Sequence, residues 1–280
     1  MQYTVSDAVL KICRHAATIS RLKYQGLDRG LIPRASSETA TVTFIKFGGR
    51  TFAVTAWHVI AILQDLAVKD GAPFEGYSCL QAPGVAILGP FLRPPAQFPD
   101  KQPDVAICPI HPDLPKTIHK TPFEIVPESD AKWPVPFAIA VGFPTNSKEE
   151  IHDETGGKRL ALSCVHAVAE GLASPGTSDQ VQFNSELPER PAISSLSGMS
   201  GGPVFWSDEE RYGLIGFVKE ALDVMPSDHK KSIFEQPKVN FVCQRVDFTI
   251  FQRWACYIEQ NWQTERDKIN IAIKQANPQA

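Results

Sequence analysis

Two stretches of this chain are written almost entirely in short apolar runs cut by glycine and proline, and that texture limits the fold more than anything else in it. TVTFIKF, TFAVTAW, VAILGPF and DVAICPI fall between residues 41 and 110. VPFAIAVGF, ALSCVHAVAEG, QVQFN, GPVFW, YGLIGFV and NFVCQRV follow between residues 135 and 246. The runs are rich in β-branched and aromatic residues and too short for helices. Gly49, Gly71, Gly84, Pro94, Pro95 and Pro103 punctuate the first set. The expectation is two sets of antiparallel strands. Pro112, Pro115, Pro122 and Pro127 make 111–134 the connector between them, with surface connections at 91–103 and 145–159.

The ends differ. Residues 4–19 place Val9, Leu10, Ile12, Cys13 and Ala16 on an approximate helical face. Apolar residues at 251, 254, 258 and 262 repeat the helical spacing near the other end, where Trp254, Ile258 and Trp262 would cover the rear of a β domain. At 280 residues, with 43% apolar and 21% charged residues and a formal net charge of -3, the chain reads as folded, with no broad field for a polyanion. The HKK cluster at 229–231 reads as a solvated loop, so no nucleic-acid partner is expected. Neither a secretory signal nor a membrane-spanning stretch is evident, and the six scattered cysteines contain no CxxC pair. The expectation is a cytoplasmic protein with reduced thiols, no metal, no cofactor and no membrane contact.

Within this texture LSGMSGGPVFW stands out, because it concentrates small residues around Ser200. A free serine hydroxyl is a poor nucleophile and needs a neighbouring base, itself oriented by a third group. TFAVTAWHVI supplies His58 just after a strand-like run, and QPDVAICPI supplies Asp104 at the edge of another. Their order is His58, Asp104, Ser200.

AVTAWHV, DVAI and GMSGGPVF resemble the histidine, aspartate and nucleophile motifs of the trypsin/chymotrypsin-like serine peptidase superfamily, in the style of its bacterial intracellular members. VGFP at 141–144 and GLIGF at 213–217 are similar to its second-barrel segments. The resemblance spans residues 40–248. It implies an all-β fold of two antiparallel six-stranded β-barrels, with helical segments at both ends. Residues 1–40 would form an N-terminal extension, 41–120 the first barrel, 121–248 the second, and 249–280 a C-terminal helix and tail.

The resemblance also implies a serine endopeptidase acting on a protein or peptide substrate. His58 would be the general base, Asp104 its orienting acid and Ser200 the nucleophile, with the amides of Gly198 and Ser200 as the oxyanion hole. Digestive-type members carry an aspartate where this chain has Met199, so activation by a freed amino terminus is not expected. Ser194 falls at the base of the specificity pocket, and Phe217, Val218 and Lys219 fall on its wall. With no carboxylate over 191–199, a preference for basic side chains is unsupported. Two other readings stay open: a catalytically silent protein-binding module, and an esterase. A regulatory protein partner would meet the terminal segments.

Overall fold

The computed structural model describes residues 5–22, 38–69, 76–79, 85–96, 101–145, 148–152, 158–186, 196–208, 210–224 and 238–276. Helix α1 (Val5–Ile12) and a 3-10 turn (Cys13–His15) lead into strand β1 (Ala16–Arg21). The helix expected over 4–19 therefore stops early. Residues Ala16–Ser20 pair instead with β2 (Thr39–Phe47), and β-branched Thr18 and Ile19 are fully buried in that pairing. Gly48 and Gly49, with φ of 56° and 79°, turn β2 tightly into β3 (Arg50–Thr55). The run TFAVTAW ends its strand at Thr55, and the next residues form α2 (Trp57–Lys69).

Next come β4 (Tyr77–Ser78), β5 (Ala86–Ile87), β6 (Ala106–Ile110), α3 (Leu114–Thr117) and β7 (Phe123–Glu124). The sheet order is β5-β4-β1-β2-β3-β6, with β7 paired in parallel to β2. The expectation of two six-stranded barrels is corrected here: this first sheet has seven strands and does not close. Its β4 and β5 are two residues long, too short to supply the staggered ladder that barrel closure requires. Beyond them, Leu92 and Ile107 form an isolated bridge. Helix α2 packs Val59, Ile60 and Leu63 against Val42, Phe44 and Ala53 of the sheet, filling the core that a second wall of strands would have covered.

The second half is the barrel. It contains β8 (Val135–Gly142), β9 (Lys148–His152), β10 (Lys158–Leu162), β11 (Val165–Leu172), β12 (Gln180–Glu186), β13 (Pro203–Ser207), β14 (Tyr212–Val224) and β15 (Lys238–Arg245). Six of these run in the order β11-β8-β13-β14-β15-β12 and come close to a closed barrel. Its last seam is made by a side chain. The Ser185 hydroxyl on β12 accepts the Val168 N–H at 3.1 Å and donates to the Val168 carbonyl at 2.8 Å on β11. The segment 145–159, expected to be a loop, carries β9 and the start of β10, which pair antiparallel apart from the barrel.

Helix α4 (Phe248–Ala276) joins the halves. Its Phe251, Trp254 and Ile258 are fully buried in a core shared with Phe52 and Ile107 of the first sheet and Ile139, Phe205 and Phe217 of the barrel. Each such side chain contributes roughly 1.5–3 kcal/mol by leaving water. Farther along, Trp262 Nε1–H donates to the Pro90 carbonyl at 3.0 Å and ties the middle of the helix to the first half of the chain.

Candidate active site

The three residues singled out by their motifs lie on segments that border the junction of sheet and barrel. His58 is the second residue of α2, immediately after β3. The start of a helix has backbone N–H groups without intrahelical partners. Asp104, in the turn before β6, answers one of them: its Oδ1 accepts the His58 N–H at 3.0 Å. Its Oδ2 lies 2.7 Å from His58 Nδ1. Ionised Asp104 can only accept, so Nδ1 carries the proton and Nε2 of the neutral ring is left as the acceptor.

Burial works to raise the pKa of Asp104. The hydrogen bond, charge and backbone N–H of His58, together with the charge of Lys219, outweigh it and hold the carboxyl below its usual range. The turn is fixed from the barrel side as well. Gln244 of β15, buried, accepts the Asp104 N–H at 3.2 Å and donates to the Asp179 carbonyl at 2.9 Å. Nothing in its local sequence marks Gln244 for this task, because its partners are far away in the chain.

Ser200 lies in the turn before β13, and the carbonyls around it are all engaged. Ser197 O accepts from Thr145 N at 2.7 Å, Met199 O from Gly202 N at 2.9 Å, and Ser200 O from Thr41 N at 3.1 Å. The hydroxyls of Thr41 and Thr43 donate to the carbonyls of Gly198 and Gly201, each at 2.8 Å. In a trans peptide the N–H points opposite to the preceding C=O. The Gly198 N–H therefore points away from Thr145, and the Ser200 N–H away from Gly202. No described residue accepts from either amide. Among the described residues these two directed N–H groups, which flank Met199, have no acceptor, an arrangement suited to an anionic oxygen.

Glycine is required in this turn by close approach. Gly198 has φ of 100°, and a Cβ there would meet Thr145 N at 2.7 Å. The Met199 side chain is fully buried among the barrel's apolar residues, an anchor without charge.

The Ser200 hydroxyl donates to the Lys219 carbonyl at 3.1 Å, its one hydrogen bond among the described residues. The register of β14 against β15 shifts between Val218 and Glu220, so Lys219 occupies a bulge that turns its carbonyl toward the serine. Of the four residues assigned to a pocket, Ser194 lies outside the described residues. Phe217 and Val218 are each 1% exposed, with side chains in the cores rather than at a surface. Lys219 alone of the described three reaches solvent, where its Nζ lies 3.6 Å from Glu220 Oε1. Among the described residues no group of three or more His, Cys, Asp or Glu side chains could hold a metal ion, and no helix is long and apolar enough to cross a membrane.

No family model matches the chain, and no curated protein does. Solved structures that resemble it include the thermostable serine protease AL20 from an extremophilic microorganism, at 13% identity over 86% of this chain and 95% of that one, with a TM-score of 0.42. A second is a structure described as showing that aromatic interactions drive the coupled folding and binding of the intrinsically disordered Sesbania mosaic virus VPg protein. It matches at 12% identity over 81% and 85% of the two chains, with a TM-score of 0.37. A third is the NS6 protease from murine norovirus 1, at 12% identity over 72% and 89%, with a TM-score of 0.27. These are likenesses of structure at low identity, and they say nothing of what this chain does.

Proposed function

We propose that the protein is a serine endopeptidase that cleaves peptide bonds through an acyl-enzyme on Ser200. The observation that carries this reading is a histidine fixed in one tautomer by a half-buried carboxylate, together with a serine turn whose two flanking amides have no acceptor among the described residues. In this scheme Ser200 Oγ turns from the Lys219 carbonyl toward His58 and gives its proton to Nε2 as the Oγ–C bond forms. The Gly198 and Ser200 amides receive the negative carbonyl oxygen. His58 then returns the proton to the leaving amine, and water, deprotonated by the same ring, releases the acid product. Asp104 stabilises the imidazolium without taking the proton. Substrate is a protein or peptide chain.

Labelling the purified protein with a fluorophosphonate, and locating the adduct by mass spectrometry, tests this. Modification of Ser200 in the wild type, none in Ser200→Ala, and cleavage within a peptide library are the expected results. An unlabelled wild type would reject it. A second reading has one observation in its favour: the Ser200 hydroxyl is engaged with Lys219. A protein-binding module with a silent site would keep that bond, leave Ser200 unlabelled and cleave no peptide.

A further inference from the structure

The serine turn is held through its carbonyls, and its buried Met199 carries no charge. We propose that Thr41 is a positioning residue that keeps the Gly198 and Ser200 amides open in the resting protein by fixing the peptides next to them. This rests on the reading of Ser200 as nucleophile.

Thr41 is fully buried on β2 and grips the turn on both sides of Met199. Its hydroxyl donates to the Gly198 carbonyl at 2.8 Å and its backbone N–H to the Ser200 carbonyl at 3.1 Å. The same hydroxyl accepts the Phe143 N–H at 2.9 Å, where the chain leaves β8. Thr55 on β3 donates to the Thr41 carbonyl at 2.7 Å and fixes the residue itself. The hydroxyl thus ties together sheet, barrel and serine turn. The grip falls where it is most needed. Gly198, at φ of 100°, has no side chain to limit its backbone, and rotation there would carry its N–H out of the site. Thr145 holds the peptide before Gly198 and Thr41 holds the peptide after it. Gly142 leaves the room this requires, since a Cβ there would meet Thr41 Oγ1 at 3.1 Å.

Thr41→Val keeps the shape but leaves the Gly198 carbonyl and the Phe143 N–H buried without partners. Thr41→Ser keeps the hydroxyl. The full chain and both variants are compared by hydrolysis of p-nitrophenyl acetate across pH, by fluorophosphonate labelling rate, and by a crystal structure of Thr41→Val. Thr41→Val is expected to lower kcat about a hundredfold, the scale of losing one oxyanion donor, with KM within about threefold and the pH midpoint unmoved. Thr41→Ser is expected to stay within about threefold of wild type, and the crystal structure to show the Gly198 carbonyl turned from its place. Retained kcat in Thr41→Val, or equal loss in both variants, overturns the proposal. If the wild type neither hydrolyses the ester nor labels, the peptidase reading fails separately. The crystal structure then decides alone: a Gly198 or Ser200 amide displaced along with the Gly198 carbonyl supports the positioning role, and unmoved amides overturn it.

Discussion

Asp104 holds His58 twice, with one carboxylate oxygen on the ring at 2.7 Å and the other on the backbone N–H near the start of α2 at 3.0 Å. One side chain thereby sets both the tautomer of the imidazole and the helix position from which it projects. In Asp104→Asn the amide oxygen can keep the backbone bond. Its NH2 then faces Nδ1, which must accept, and the ring proton moves to Nε2. If Ser200 is the nucleophile proposed, its fluorophosphonate labelling is expected to slow by about 10⁴-fold, the scale by which loss of the right tautomer slows Ser-His-Asp enzymes. Labelling within tenfold of wild type would show that Asp104 has no such part.

Gly201→Ala is a test of the serine turn as a packed object. Gly201 has φ of 86°, and an added Cβ would run into the Thr41 carbonyl and the Thr55 hydroxyl. Strain at that φ and the displaced backbone together are expected to cost about 3 kcal/mol or more in urea unfolding. A loss below about 1 kcal/mol would mean that the turn yields easily.

Ser185→Ala addresses the seam of the barrel. The substitution leaves the Val168 N–H and carbonyl without their shared partner on β12. Unfolding free energy is expected to fall by about 1–3 kcal/mol with an unchanged denaturant slope. An unaltered midpoint would assign the closure to backbone packing alone.

His15 gives the fold a dependence on pH. It is buried, with Nδ1 2.6 Å from the Thr121 carbonyl and Nε2 3.0 Å from the Tyr212 hydroxyl. Burial lowers its pKa, opposed by the Thr121 bond and assisted by the charges of Lys120 and Arg14. The unfolded chain then binds a proton more readily than the folded one, so stability is full above the ordinary value of 6.5 and declines as pH falls from there toward the lowered folded value. Melting temperature measured from neutral pH downward should drop in the wild type and drop less in His15→Gln. Parallel curves would place the acid sensitivity elsewhere.

Much of the barrel was legible because its strands leave short, dense apolar runs, which the β9–β10 pair outside it lacks. In the first sheet β2, β3 and β6 were legible in the same way, but its failure to close was not. Its β4 and β5 are two residues each, below the length at which any pattern can speak, and the helix-like spacing of Val9, Ile12 and Ala16 continues past the real end of α1. His58, Asp104 and Ser200 could be singled out because their flanking residues are distinctive. Thr41, Thr43 and Gln244 could not, because each acts on a group more than a hundred positions away and looks locally like an ordinary strand residue.

The docking of α4 sets an order on biosynthesis. Ile45, Phe52 and Ile107 leave the ribosome long before Phe251, Trp254 and Ile258, which complete their core, and Pro90 waits longer still for Trp262. Until those turns emerge, the nascent core that the first sheet shares with α1 and the barrel lacks the large side chains that α4 supplies. A chain stalled before residue 248 is thus a client for holding chaperones, whatever the state of its barrel.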